Sequence, residues 1–152
     1  GIRPTGPSDI RRIEAGILNY GADITLDTNP YEVGLDWLVD LDQPAEFIGK
    51  QALARIEAEG VQRKLVGVVI EGDRVEFNAT KWPVLSGDSE IGHITSAIYS
   101  PRLRQNIGYA LLSIQYADLG TALKVSIPHM GERSATVVAK PFIDPKKKIP
   151  KS

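Results

Sequence analysis

The 152-residue chain has no cysteine, two histidines and one methionine, and its charges nearly cancel, 18 Lys and Arg against 19 Asp and Glu. Without cysteine there are no disulfides and no thiolate chemistry, and His93 and His129 alone exclude a zinc site of the usual Cys/His kind. A net charge of −1 argues against a nucleic-acid partner, since phosphate binding needs Lys and Arg in excess on one face. The longest apolar runs are a handful of residues, well short of the roughly 18 to 20 a membrane-spanning helix requires. The first residues lack a basic start followed by an apolar stretch, so no signal peptide is read and a cytoplasmic protein is expected. There is also no phosphate-binding Gly loop, no nucleophile-elbow Ser and no His pair at metal-ligand spacing. No catalytic residue and no metal ligand is therefore assigned.

What is present is an ordinary globular balance, 42% apolar and 24% charged, in a chain long enough to bury a core without staples. Residues Gly1 to Pro7 are rich in Gly and Pro and lead to Ser8 and Asp9, which suit a helix N-cap. Ile10, Ile13, Ile17 and Tyr20 then form one stripe of a period near 3.6, with Gly21 placed as a left-handed C-cap, so an amphipathic helix is predicted from Asp9 to Tyr20. A second helix is predicted from Ile48 to Glu59, with Ile48, Ala52, Leu53 and Ile56 on one face and Gly60 closing it. The segment between them, which includes Asn29-Pro30, reads as several short extended runs.

After Gly60 the pattern becomes strand-like. Leu65 to Ile70, Trp82 to Leu85, Ile91 to Ile98, Ile107 to Ile114, Leu123 to Ile127 and Ala135 to Ala139 are bounded by Gly, Pro, Asp or Ser. About six short strands without helices between them predict a small antiparallel barrel or sandwich. Gly87-Asp88 reads as a hairpin turn and Pro101 to Asn106 as a longer loop. The fold class is α+β: a two-helix segment over residues 1–60, a β-barrel over 61–145, and a basic tail over 146–152. Two amphipathic helices ahead of a barrel, in a chain that does not start with Met, suggest the carboxy-terminal part of a longer polypeptide whose upstream portion covers the helices.

The densest polar grouping is Arg11-Arg12-Ile13-Glu14, followed by Tyr20 and Asp23. Arg12 and Glu14 are two positions apart and point in different directions, so each needs a partner elsewhere. A guanidinium on a helix can grip a carboxylate of the same protein or of a ligand. Trp37, Trp82, Tyr99 and Tyr109 are core aromatics or flat surfaces for a heterocycle. His93, inside a strand, reads as a hydrogen-bonded structural histidine, and His129, after Pro128, as a solvated turn residue. Lys146, Lys147, Lys148 and Lys151 read as a solvated tail, and the sequon Asn78-Ala79-Thr80 as a chance match.

Several segments taken in order resemble the aminomethyltransferase family, the T-protein of glycine cleavage and its relatives. These are Arg12-Ile13-Glu14-Ala15-Gly16, Tyr20-Gly21-Ala22-Asp23, Asn29-Pro30-Tyr31-Glu32 with Gly34-Leu35, and Phe47-Ile48-Gly49-Lys50 with Ala52-Leu53. The likeness continues through Pro83-Val84-Leu85, Gly92-His93-Ile94-Thr95-Ser96, Tyr99-Ser100-Pro101 and Asn106-Ile107-Gly108. Gly1-Ile2-Arg3-Pro4, Asn29-Pro30, Ile70-Glu71-Gly72-Asp73 and Lys81-Trp82-Pro83 look closest to the branch that demethylates dimethylsulfoniopropionate.

The resemblance implies a ring-like, three-domain protein that holds tetrahydrofolate in a central channel and moves a one-carbon unit from a small-molecule donor onto it. Residues 1–60 would be the end of the folate-binding domain, and a catalytic or orienting Asp would lie upstream of Gly1. Arg12, Tyr20 and Asp23 are the implied cofactor-binding residues. The family's helix typically starts Arg-Asp-Ser/Thr-Leu-Arg, its first Arg being implicated in folate binding. Ser8 stands there in this chain, which counts against T-protein activity in the strict sense. Alternatives are a T-protein aminomethyltransferase, the folate domain of a sarcosine or dimethylglycine oxidase, and a folate-binding module without chemistry.

Overall fold

The computed structural model describes residues 8–146 and 148, so the Gly/Pro-rich opening and two of the four tail lysines, Lys147 and Lys151, lie outside the described residues. Six antiparallel strands close into a barrel in the order β1-β4-β3-β2-β5-β6. They are β1 (Arg63–Ile70), β2 (Trp82–Ser86), β3 (Ser89–Ser100), β4 (Gln105–Ser113), β5 (Ala122–Ile127) and β6 (Gly131–Val138). Each overlaps one of the six runs expected from sequence. β2 and β3 form a hairpin through Gly87-Asp88, with Ser86 paired to Ser89, as the turn residues indicate.

Strand alternation splits the apolar residues into two cores. Val66, Val68 and Ile70 of β1 point into the barrel with Val84, Ile94, Ala110, Leu112, Val125 and Val137. Leu65 of β1 and Ile107, Tyr109 and Leu111 of β4 point outward and pack with Ile13 and Val33 from the preceding segment. β1 and β4 are thus covered on both faces, which is why Leu65 to Ile70 reads as an unbroken apolar run and not as an alternating one.

The first helix is shorter than predicted. α1 spans Asp9–Glu14, with the Ser8 side chain accepting from the Arg11 amide at its start. It ends at Gly16, not Gly21. Gly16 has φ +74°, the Ile17 N–H bonds the Arg12 carbonyl at 2.8 Å, and the Gly16 N–H bonds the Ile13 carbonyl at 3.1 Å. This is the paired bonding of a Schellman stop. A side chain at Gly16 would also meet Pro141 Cβ at 3.1 Å, a tertiary contact that local periodicity does not register. Of the apolar stripe, Ile13 is buried, Ile10 half-buried, and Ile17 and Tyr20 exposed.

A second short helix occupies the segment read as extended: α2 spans Pro30–Val33. Its capping box is explicit in Asn29-Pro30-Tyr31-Glu32. The Asn29 side chain accepts from the Glu32 amide at 3.0 Å, Glu32 accepts from the Asn29 amide at 3.1 Å, and Gly34 closes the helix in the left-handed region. Glu32 also receives Arg63 Nε of β1 at 2.7 Å, fastening α2 to the barrel. α3 spans Lys50–Glu59, two residues shorter at its start than predicted, and ends at Gly60 as expected. None of its residues is buried, and Ile48 just before it is fully exposed. Among the described residues no helix is long and apolar enough to cross a membrane.

Candidate functional site

α1 lies across β3 and β4, and the polar residues on its barrel side enter a buried network. Arg12 and Glu14 each find a partner in the chain, as their spacing requires. Glu14 is buried and accepts a short hydrogen bond from Ser100 Oγ at the end of β3. Arg12 donates from Nε to Asp9 at 2.8 Å, from Nη1 to Asp23 at 2.9 Å and from Nη2 to Ser96 Oγ at 2.9 Å, and its guanidinium stands 5.7 Å over the Phe77 ring.

Asp23 is the centre of this network, with no solvent-accessible side-chain surface. One carboxylate oxygen accepts from Arg12 and from the Asn19 amide at 3.0 Å, and the other from Thr95 Oγ1 at 2.6 Å and Ser96 Oγ at 2.7 Å. Neighbouring residues of a strand normally face opposite ways, so two adjacent hydroxyls on one carboxylate need an explanation. β3 carries a bulge between Ile94 and Ser96, which pair with Ala110 and Tyr109 and leave Thr95 as the extra residue. That irregularity turns both hydroxyls toward Asp23.

Below the network, Tyr109 of β4 is fully buried and donates its hydroxyl to the Ile13 carbonyl at 2.9 Å. Burial raises its phenol pKa, reinforced by Asp23 and opposed by Arg12. Lys140 Nζ lies 5.7 Å over the same ring and donates to the Val33 carbonyl at 3.2 Å. Burial pulls its ammonium pKa down to about 8.

The structure thus brings Arg12 and Asp23 together and leaves Tyr20 apart, 68% exposed and joined to Ile24 by a single bridge. A cleft of about 550 Å³ beside α1 is bordered by Ser8, Arg12, Ala15, Ile17, Leu18 and Asn19. As holders of a folate, the three residues fit unequally. Tyr20 is accessible, but Asp23 is sealed from any ligand and Arg12 already serves two carboxylates and a hydroxyl. No chemical step is assigned through them.

Sequence reasoning did not single out Thr95, Ser96, Tyr109 or Lys140 for these contacts. Ser96 and Asp23 are separated by 73 positions, so only the barrel register joins them. His93 departs from its expected role: it is half-buried, and its Nε2 is buried with no hydrogen-bond partner among the described residues. Its pKa is lowered, first by burial and then by Lys81 and Arg63. His129 sits exposed in the turn before β6 with φ +63°. Asn78 of the sequon is buried, its amide donating to the carbonyls of Thr80 at 3.0 Å and Thr95 at 3.2 Å, and in that state it is closed to modification.

Residues 63–144 match the family model described as the glycine cleavage T-protein C-terminal barrel domain. An aminomethyltransferase of Synechococcus sp. (strain CC9902) is 42% identical over 144 residues, 93% of this chain and 39% of that protein. An aminomethyltransferase of Bacillus pumilus (strain SAFR-032) is 39% identical over 137 residues, 90% of this chain and 37% of that protein. Among solved structures, the glycine cleavage system aminomethyltransferase T from Bartonella henselae shares the fold with a TM-score of 0.80 at 24% identity, over 89% of this chain and 37% of that one. The chain spans about two fifths of the length of the curated relatives it matches.

Proposed function

The chain belongs to the glycine cleavage T-protein family through its C-terminal barrel domain, and from that premise we propose that it is the carboxy-terminal part of a cytoplasmic, tetrahydrofolate-dependent one-carbon transferase. The observation that carries the reading is the reach of the similarity. It covers 93% of this chain, barrel and preceding segment alike, in relatives named aminomethyltransferases.

The proposed division is a folate-domain end over 1–60, a barrel over 61–145 and a basic tail over 146–152. Exposure of apolar side chains supports it: Ile17, Tyr20, Leu26, Trp37, Leu38 and Ile48 are large, exposed and all ahead of the barrel. Exposed large apolar groups are denser in this 32-residue stretch than in the barrel part, where Phe77, Ile114 and Leu119 are exposed, and that density suits burial against the upstream portion of the same polypeptide. In this reading Tyr20 and the border of the adjacent cleft form part of the cofactor's surroundings, while bound tetrahydrofolate supplies the nitrogen that accepts the one-carbon unit.

The donor is the finer part of the proposal. The segments Asn29-Pro30, Ile70 to Asp73 and Lys81 to Pro83, and Ser8 in place of the family's first Arg, favour the sulfonium methyl of dimethylsulfoniopropionate. The names of the relatives favour an aminomethyl group as the second reading. The test is the whole protein assayed with tetrahydrofolate against both donors, one arm reading dimethyl sulfide and the other one-carbon transfer from an aminomethyl-lipoyl carrier. Product in the first arm alone supports the methyl donor, product in the second alone supports the aminomethyl donor, and product in neither rejects the transferase.

A further inference from the structure

We infer that Asp23 and Arg12 are positioning residues, a charge pair that fixes the 17–24 loop and the exposed Tyr20 beside the cleft, and that Arg12 is not itself a folate ligand. The inference rests on the proposed folate site and assigns its two buried ionic groups a different task from the one their resemblance implies.

The acceptor sites decide the matter for Asp23. An ionised carboxylate offers about four lone-pair directions. Asp23 has four donors on it, Arg12 Nη1 at 2.9 Å, the Asn19 amide at 3.0 Å, Thr95 Oγ1 at 2.6 Å and Ser96 Oγ at 2.7 Å, and no accessible surface through which a ligand could reach it. Arg12 borders the cleft, but its guanidinium is engaged at all three nitrogens. Its Nη2 donates to Ser96 Oγ, whose own hydrogen goes to Asp23, so guanidinium, hydroxyl and carboxylate form a ring.

The loop is tied through the same group. Asn19 O accepts the amides of Ala22, Asp23 and Ile24, and the Gly21 amide bonds Ile24 O at 2.8 Å, so residues 19–24 close on themselves. Among the described residues, the side-chain bond that fastens this closed turn to the barrel is that of Asp23 to Thr95 and Ser96 of β3. Tyr20 lies inside the turn, between the Asn19 amide held by Asp23 and its bridge partner Ile24. Removing Arg12 leaves the Asp23 carboxylate buried without a cation, whereas removing Asp23 leaves Arg12 its bond to Asp9, and removing both leaves hydroxyls that can bond a neutral amide.

The experiment compares Arg12→Met, Asp23→Asn and the double variant in the whole protein. It reads amide hydrogen exchange at Asn19, Asp23 and Ile24 together with tetrahydrofolate affinity. Arg12→Met is expected to raise exchange and weaken tetrahydrofolate binding, each by about tenfold or more, and the double variant to return both to within about threefold of the parent. If either single variant fails to fold, the double variant decides alone: near-parental exchange and affinity support the inference, and a folded double variant without affinity overturns it. Affinity lost in Arg12→Met with unchanged exchange also overturns it, because Arg12 would then touch the ligand. If the parent protein binds no tetrahydrofolate, the one-carbon reading falls, and exchange alone judges the loop: protection restored by the second substitution supports the inference, and protection not restored overturns it.

Discussion

Replacing Tyr109 with Phe tests how α1 is fixed to the barrel. The Tyr109 hydroxyl donates to the Ile13 carbonyl at 2.9 Å, with the Arg12 carbonyl further off at 3.3 Å, and the ring is fully buried between β4 and α1. The substitution removes the hydrogen bond and leaves the packing with Phe142, whose ring lies 6.1 Å away. Losing a buried bond whose acceptor is then orphaned costs about 1–3 kcal/mol. The Ile13 carbonyl keeps a second donor, however, the Gly16 amide at 3.1 Å, so it is not orphaned. The expected loss is therefore near the lower end, about 1 kcal/mol. Urea unfolding of both proteins, followed by tryptophan fluorescence, should show a lower midpoint at an unchanged denaturant slope. Hydrogen exchange should rise at the Ile17 and Gly16 amides of the helix stop and stay unchanged in β1 and β4. A loss near zero, or a loss of several kcal/mol shared by all strands, would refute the reasoning, the first by making the hydroxyl idle and the second by making it part of the barrel core.

Lys140 gives a pH dependence with a definite sign. Its folded pKa of about 8 lies below its usual 10.5, so between those values the unfolded chain holds a proton that the folded one releases. Stability contributed by this group rises with pH across that window and falls back as pH drops through about 8. After allowance for partial solvent contact the rise is about 2 kcal/mol, and in Lys140→Met it should vanish from unfolding midpoints measured across the window. Gly92→Ala would place a Cβ 2.1 Å from the Leu111 carbonyl and 2.9 Å from Leu112 Cα, backbone that cannot step aside. A destabilisation of about 3 kcal/mol or a failure to accumulate folded protein is expected, and a thermal midpoint equal to the parent's would show the approach to be looser than described. Asn106 is buried, accepts the Val75 amide at 3.0 Å and donates to the Ile70 and Asp73 carbonyls at 3.2 and 3.0 Å. Asn106→Ala should cost about 2–4 kcal/mol and expose the 71–75 segment to limited proteolysis; an unaltered digestion pattern would contradict that role.

The barrel was legible because its strands carry their own signal. Leu65 to Ile70 and Ile107 to Leu112 are apolar on both faces, and the reason is visible once Ile13 and Val33 are found covering the outer one. Helix boundaries were less legible where a tertiary contact chose among local stops. Both Gly16 and Gly21 suit a left-handed cap, and the packing of Pro141 against Gly16 decides for the first. The α2 capping box, by contrast, is local and stands in the sequence as Asn29-Pro30-Tyr31-Glu32, a signal that the extended reading of this segment misses. The candidate site was legible as a set of residue types but not as an arrangement. Arg12 and Asp23 were both singled out, yet their pairing with Ser96 depends on a bulge in β3 and on contacts across more than 70 positions, which no local pattern encodes. Lys140 is further removed, meeting the Val33 carbonyl across 107 positions.

The central claim is that this chain closes a tetrahydrofolate site of a one-carbon transferase, and equilibrium binding of tetrahydrofolate to the whole protein tests it most directly. Titration calorimetry should show saturable binding at one site per polypeptide, weakened when Tyr20 is replaced by Ala. A whole protein that is folded and takes up no tetrahydrofolate would contradict the claim.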